Sequence, residues 1–313
     1  ILKNFKYIIY APPYNETGGG AIALHKLCHN LNEIGRSAFL LPLTKPRHAI
    51  ARRAFHYLAY HFPVLRTLMG KGFKTNTSLN TRLLPFGFDL RPDHTITVYP
   101  EIIAGNPLGA NHVVRWFLHK PGYHTGIAEF GSNEFHIDFN HFLKKYVAKS
   151  DNHLSALSLF VIHFPFDKYN LDGALLSSER QGSAYCVRKG EVDNSVDLTD
   201  AICIDGMSHF EASAVLKKVK YFYSFDLYTA YSHFAALCGA ISFVIPPPGV
   251  TKDDWHPEGA DRYGVGFGTD EESWAISTQN LVLPSMKERE HGSLNHVRRF
   301  VEEVEDYFLL LIR

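Results

Sequence analysis

The stretch YIIYAPPYNETGGGAIALHKLCHNLNEIG, residues 7–35, decides the fold of the first half of the chain. An apolar run at residues 6–11 predicts a buried β-strand. Apolar residues at helical spacing predict a helix over residues 21–34, and Gly35 is placed to end it. Residues 38–43 are again apolar and predict a second strand. Strand, helix and strand in short order form a βαβ unit, so this segment predicts a parallel sheet.

The same alternation begins again after about residue 170. Three apolar segments predict strands: SAYCVR, KYFYSF and ISFVI, at residues 183–188, 220–225 and 241–245. Ser208 and Glu211 form a capping box that predicts the start of a helix. Two successive α/β halves predict two Rossmann-like domains, residues 1–168 and 169–313, that face a cleft. We expect the charged, amphipathic C-terminal helix to pack back on the N-terminal domain.

Composition excludes several classes of protein. The 313 residues are 45% hydrophobic, and 32 basic residues balance 32 acidic ones, so no net field indicates nucleic acid as a partner. No apolar run approaches the roughly 18–20 residues that span a bilayer, which predicts a cytoplasmic protein. The cysteines lie in mainly apolar contexts without C-x-x-C spacing, and we expect buried thiols at Cys28, Cys186, Cys203 and Cys238.

The three consecutive glycines open the first helix. Gly18, Gly19 and Gly20 with the next residues formally satisfy G-x-G-x-x-A, the dinucleotide fingerprint. A long turn separates them from the strand, and no acidic residue follows the second strand to hold a ribose. Lys45 and Arg47 would suit a 2′-phosphate, so an NADP-dependent enzyme stays open. Glycine also lets a ligand approach the helix start, although a turn that needs positive φ would explain these residues equally well.

A second segment has a recognisable order. YSFDLYTAYSHFAALCGAISFVIPPPG, residues 223–249, runs from a strand through Asp226 and a helix that ends in small residues to an apolar strand and prolines. With the glycine loop, this order resembles the bacterial family 4-like glycosyltransferases of the two-domain GT-B type. Members carry an acidic residue at the position of Asp226 and a second glutamate, which holds the donor ribose, where this chain has Phe234.

The resemblance implies that the C-terminal domain binds a nucleotide-activated sugar. Basic residues would contact the diphosphate, and hydroxyls and the helix start would complete the site. The residues that this implies are Arg188, Lys189, Asp226, Tyr228, Thr229 and Ser232. Asp226 is equally suited to a plain helix cap, and Arg188 and Lys189 to solvated charges at a strand end.

The N-terminal domain should then receive the acceptor. Glu101 and Asn106 follow the strand TITVY, and Glu101 is the candidate catalytic base or a ligand of an acceptor hydroxyl. Weaker candidates are His119, Lys120, His124 and Asp138. No D-x-D or H-E-x-x-H spacing occurs, so we expect neither a metal nor another cofactor. His25 and His29 lie one helical turn apart without a third ligand nearby and are expected on a helix surface.

Residues 34–88 contain no Asp or Glu, and their charge is entirely positive. The nine basic residues are Arg36, Lys45, Arg47, Arg52, Arg53, Arg66, Lys71, Lys74 and Arg82. Such a segment is suited to an anionic membrane surface that carries a lipid-linked acceptor, to an acidic glycan, or simply to solvent. The protein would then be peripheral at the inner face of the membrane.

Together these features predict a glycosyltransferase that moves a sugar from a nucleotide-activated donor to a saccharide or lipid-linked acceptor in surface-glycan biosynthesis. Two alternatives remain at this point. One is an NADP-dependent oxidoreductase that uses the glycine loop. The other is a nucleotide- or sugar-binding module that keeps the fold without turnover, since Phe234 replaces the ribose-binding glutamate.

Overall fold

A computed structural model describes residues 5–43, 72–85, 88, 93–140, 151–193 and 195–312. The chain forms two compact units, Ile1–His163 with Glu290–Arg313, and Phe164–Arg289. The predicted boundary lay between residues 168 and 169. The structure differs mainly at the C-terminus, where residues 290–313 belong to the first unit. Each unit is built around one parallel β-sheet.

The sheet of the first unit confirms the predicted βαβ start. Its strands are β1 (Lys6–Ala11), β2 (Ser37–Pro42), β3 (Thr95–Pro100), β4 (His112–Phe117), β5 (Phe135–Asp138) and β6 (His153–Ser158). They lie side by side in the order β2-β1-β3-β4-β5-β6, and every neighbouring pair is parallel. Because both faces of such a sheet are covered, β3 and β4 are buried at every residue.

Helices pack on one face of this sheet. Helix α1 (Gly19–Glu33) lays Leu24, Leu27 and Leu31 on the strands, and Gly35 ends it with a φ of 81°, as predicted. The C-terminal helix (Val282–Leu311) also reaches this core. Its contributing side chains are Val297, Phe300, Val301, Val304 and Phe308. The predicted packing of the C-terminal helix on the first sheet is therefore present.

A buried ion pair organises the opposite face. The Arg115 guanidinium meets the Glu134 carboxylate with two hydrogen bonds, Nε to Oε2 at 3.1 Å and Nη2 to Oε1 at 2.8 Å. Arg115 also donates to the carbonyl oxygens of Ile103 at 2.6 Å and Gly105 at 2.7 Å. Every nitrogen of the guanidinium thus has a partner, which a charge in a water-free core requires. This network fixes the loop that follows β3.

The second unit repeats the architecture. Its strands are β7 (Ser183–Cys186), β8 (Ile202–Cys203), β9 (Tyr221–Ser224), β10 (Ile241–Val244) and β11 (Val265–Phe267). Its helices are α2 (His209–Leu216), α3 (Tyr231–Leu237), α4 (Lys252–Trp255) and α5 (Glu272–Ser277), and the C-terminal helix, α6, begins here. The sheet is parallel in the order β11-β10-β9-β7-β8. The Ser208–Glu211 capping box at the start of α2 is confirmed.

Two sequence-based expectations about this unit need correction. Three of the four cysteines are buried thiols, but Cys203 is exposed, because β8 is only two residues long and lies at the sheet edge. The sequence predicts a helix over residues 228–237, but helix α3 begins three residues later, at Tyr231. Asp226 accepts from the Tyr228 N–H at 3.0 Å and the Thr229 hydroxyl from the Tyr231 N–H at 3.4 Å. These local turns replace the first helical turn.

Arg180 joins the ends of two helices in this unit. Its buried guanidinium donates to four backbone carbonyl groups and no carboxylate among its described contacts. The acceptors are Leu175, Leu216, Val219 and Cys238, at 2.6–3.2 Å. Leu216 ends α2 and Cys238 follows α3, so the cation meets the negative ends of both helix dipoles.

We expect Arg180→Ala to lower the free energy of unfolding by about 3–5 kcal/mol, because it leaves several buried carbonyl groups without donors. The matched control is Arg298→Ala, since Arg298 is exposed and donates only to Asn295 in the contacts described. Urea unfolding followed by circular dichroism measures both. A loss below 1 kcal/mol for Arg180→Ala would show that these carbonyl groups find other partners.

Candidate functional site

Among the described strands, the strand order of each sheet reverses at one point. In the first unit the chain proceeds from β1 outward to β2, and then returns to add β3 on the other side of β1. In the second unit the same reversal separates β7 from β9. Strands that are distant in the sequence end side by side at such a point, and α/β sheets bind ligands at this edge. Both sets of sequence-predicted site residues follow these central strands.

The glycine loop lies at the reversal point of the first unit. Gly18 occupies the cap position of α1 with φ −102°, and Gly19 and Gly20 are the first helical residues. None of the three has positive φ, so the turn explanation for these glycines is wrong. A Cβ at Gly19 would meet nothing within 4 Å among the described residues, and at Gly20 it would make an ordinary 3.6 Å contact with Leu118 Cδ1. The fold itself therefore does not require glycine at these two positions.

Glu101 lies at the neighbouring strand end. It follows β3, is 5% exposed, and accepts from the Leu118 N–H at 3.0 Å. Burial raises its pKa, although backbone N–H groups, including those of Leu118 and His119, and the charge of His124 act in the opposite direction. Since Leu118 also approaches Gly20, the loops after β1, β3 and β4 meet here.

The Asn106 side chain, unlike that of Glu101, bonds within its own loop. Its side chain accepts from the Tyr99 hydroxyl at 3.0 Å and the Ala110 N–H at 3.1 Å, and it donates to the Ala110 carbonyl at 2.8 Å. These contacts close its own loop, so its amide is committed to structure. Asp138, a weaker candidate, accepts a hydrogen bond from the Ser158 hydroxyl at the far side of the sheet.

Three loops converge at the reversal point of the second unit. Arg188 follows β7 with the unusual φ of 46°, and its guanidinium lies 5.2 Å from the centre of the Tyr231 ring at the start of α3. The Asp205 carboxylate holds this turn, because Oδ2 accepts from the N–H groups of Val187 at 2.7 Å and Arg188 at 3.2 Å. Sequence reasoning missed Asp205, since nothing local marks a carboxylate that acts on a neighbouring loop.

Gly190 allows this convergence. A Cβ at this position would lie 1.8 Å from the carbonyl oxygen of Phe225 and 3.1 Å from the nitrogen of Asp226. The backbones of the loops after β7 and β9 are therefore in direct contact, which only glycine permits. The consequence is that Arg188 and Asp226, far apart in the sequence, belong to one local structure.

The other predicted residues of this unit lie along the same loop. Lys189 and Tyr228 are exposed, and Thr229 is half-buried. Ser232 is 2% exposed, and its hydroxyl finds no hydrogen-bond partner among the described residues. Phe234 belongs to the core and stacks on Tyr169 with ring centres 4.2 Å apart, so this position does not present a side chain to a ribose.

Most of the predicted basic segment lies outside the described residues, namely Lys45, Arg47, Arg52, Arg53, Arg66 and Lys71. The part that is described shows one compensated charge: Arg36 makes a bidentate pair with Glu305 at 2.8 and 3.1 Å. The membrane-binding role of the segment stays a prediction.

The expected surface position of His25 is wrong, because this ring is fully buried and bonded to the Pro12 carbonyl oxygen at 2.9 Å.

The described ranges contain neither a metal-binding cluster nor a candidate membrane span. No group of three or more His, Cys, Asp and Glu side chains there is arranged to hold a metal ion. None of the helices described is both long enough and apolar enough to pass through a bilayer.

Comparison with known proteins adds little. No protein-family model matches the chain, and no curated protein sequence matches it. Among solved structures, the chain is similar to the spinosyn forosaminyltransferase SpnP, at 12% sequence identity and a TM-score of 0.30, over 96% of this chain and 95% of that chain. A TM-score this low carries no argument, so the functional inference rests on the geometry and the motifs above.

Two glycine substitutions should have different effects on folding. We expect Gly190→Ala to lower the free energy of unfolding by about 1–3 kcal/mol or more, because the new Cβ forces the two loops apart. Gly19→Ala should leave the stability unchanged or raise it by up to about 1 kcal/mol, because alanine is the better helix former and the space is open. Chemical denaturation compares the variants. Equal losses in both would contradict the assigned packing.

The raised pKa of Glu101 predicts a pH-dependent effect on stability. The folded protein holds this proton more tightly than the unfolded chain, so stability falls as pH rises from about 4.3, the unfolded value, through the raised folded pKa. The amide introduced by Glu101→Gln stays neutral at every pH, and its oxygen can still accept a hydrogen bond from the Leu118 N–H. We expect the variant to be the more stable protein at pH 7.5, with the difference vanishing near pH 4, in thermal unfolding. A pH-independent difference would contradict the buried ionisation.

Proposed function

We propose that this protein is a GT-B glycosyltransferase that transfers a sugar from a nucleotide-activated donor to a saccharide or lipid-linked acceptor. The observation that carries the proposal is the position of both candidate clusters. Each lies at the carboxyl edge of a parallel sheet, at the point where the strand order reverses, which is where this class of sheet binds ligands. The proposal includes a cleft between the two units and a role in surface-glycan assembly.

The second unit is the proposed donor domain. A nucleotide diphosphate needs cations for its phosphates and hydrogen-bonding groups for its sugars. Arg188 and Lys189 supply the cations, and the strained Arg188 backbone, held by Asp205, fixes one of them beside Asp226 and the start of α3. The core position of Phe234 means that the ribose contact found in the resembled family must come from other groups.

The first unit is the proposed acceptor domain. Glu101 is the proposed general base that accepts the proton of the attacking hydroxyl. A buried carboxyl with a raised pKa is suited to this task, because a base works best when its pKa approaches the working pH. Gly19 and Gly20 favour the same edge as a ligand site, since no contact within the described residues explains them and glycine at a helix start lets a substrate approach the backbone.

The nucleotide is the first component to test. Thermal shift and calorimetry with UDP, GDP, CDP, ADP and NADP should find stabilisation by a nucleoside diphosphate. We expect Arg188→Ala, Lys189→Ala and Asp226→Ala each to weaken that binding by about 1–3 kcal/mol, because each removes a charge-assisted contact. Lys218→Ala is the matched control, since Lys218 is an exposed cation of the same unit outside the loop cluster.

The outcomes separate the alternatives. Stabilisation by NADP alone would remove the glycosyltransferase proposal and favour the oxidoreductase. Unchanged affinity in the three variants, with folding intact, would place the nucleotide elsewhere. Donor binding without hydrolysis or transfer from the corresponding nucleotide sugar would favour the binding module. For an active enzyme, Glu101→Gln should keep donor affinity and lose transfer.

A further inference from the structure

The loop between β4 and β5 is internally bonded. The Tyr123 N–H donates to the Lys120 carbonyl at 3.2 Å, and the Gly126 N–H donates to the Gly122 carbonyl at 2.8 Å. Both glycines have positive φ, 77° and 69°, which allows the tight path. The Thr125 hydroxyl adds a turn to Ile127 at 3.0 Å. The backbone of this loop is therefore preformed at the carboxyl edge of the first sheet.

The loop presents one large aromatic ring to solvent. Tyr123 is 68% exposed although its ring contacts two histidine rings. Its ring centre lies 4.1 Å from that of His119, with an interplanar angle of 33°, and 5.0 Å from that of His124, at 90°. The two histidine rings also contact each other at 5.0 Å. The tyrosine is thus held in place while one side stays open.

The Glu101 carboxyl adjoins the same loop. It accepts from the N–H of Leu118 at 3.0 Å, and the N–H of His119 acts on the same group. His124 is close enough for its charge to influence Glu101. The exposed ring of Tyr123 and the exposed imidazole of His124 therefore lie beside a buried carboxyl on one loop edge. This combination offers an apolar face and hydrogen-bonding groups to a single ligand.

We propose that Tyr123, His119, His124 and Glu101 form the acceptor subsite of this protein, and that it binds a neutral pyranose ring. The C–H face of a pyranose is flat and apolar and packs on an aromatic ring, while its hydroxyls hydrogen-bond around the edge. A nucleobase would also stack on this ring, which makes a nucleoside the competing ligand. This inference rests on the proposed function, because it names the acceptor class for the same edge.

Saturation-transfer NMR tests the subsite without turnover. The probes are the methyl α- and β-pyranosides of glucose, galactose, mannose and N-acetylglucosamine, with uridine as the competing planar ligand. We expect at least one glycoside to receive saturation on its ring C–H protons from the wild-type protein. Tyr123→Ala should weaken its binding about 3- to 10-fold, and Tyr123→Phe should retain it, because the ring makes the contact. Phe210→Ala is the matched control, an aromatic that is 75% exposed in the other unit.

Three results would overturn the inference. These are the absence of transfer to every glycoside, equal binding by wild type and Tyr123→Ala, and a stronger Tyr123-dependent response to uridine than to any glycoside. The outcome of the nucleotide-binding experiment is independent of the outcome of this one. Donor binding at Arg188 without glycoside binding leaves the glycosyltransferase proposal and removes this subsite. Tyr123-dependent glycoside binding without any nucleotide binding leaves the subsite and removes the proposed reaction.

Discussion

The direction of the strands is the constraint on which the rest of this structure depends. In a parallel sheet every strand ends at the same edge, and a chain that builds outward from one central strand must return to build on its other side. This happens once in each sheet, between β1 and β3 and between β7 and β9. Chemistry-bearing residues therefore gather there without any closeness in the sequence.

Charged side chains hold the backbone of loops in both units. In the first unit the Arg115–Glu134 pair reaches the carbonyl groups of the loop after β3, next to the turn that carries Glu101. In the second unit Asp205 holds the backbone of Arg188 in a conformation that costs energy for a residue with a Cβ. The buried Arg115–Glu134 pair is acceptable in the core because its hydrogen bonds are complete, whereas the Asp205 carboxylate is exposed. Such networks are consistent with sites whose geometry is formed before a ligand arrives.

The glycines of the two loops illustrate different physical reasons for the same residue. Gly190 is required by the fold, because the Phe225 carbonyl occupies the space of any Cβ. Gly19 has neither a close neighbour among the described residues nor a positive φ, and alanine would serve the helix better. A glycine that the folded chain does not need is a stronger indication of a ligand than one that it does. This distinction is invisible in the sequence GGG or RKG.

The sequence by itself determined the alternation of strands and helices and the α/β class with parallel sheets. Apolar strands of four to six residues, the capping box at Ser208 and the helix end at Gly35 are local effects, so local patterns predicted them. The positions of Glu101 and Asp226 at strand ends followed from the same patterns. Only the tertiary structure decided which loops meet. It brought the Asp205 carboxylate to the backbone of Arg188 and buried Phe234 and His25. It also engaged Asn106 in its own loop and paired Arg36 with Glu305, 269 residues away. These contacts depend on strand order and on long-range packing, neither of which leaves a periodic trace in the chain.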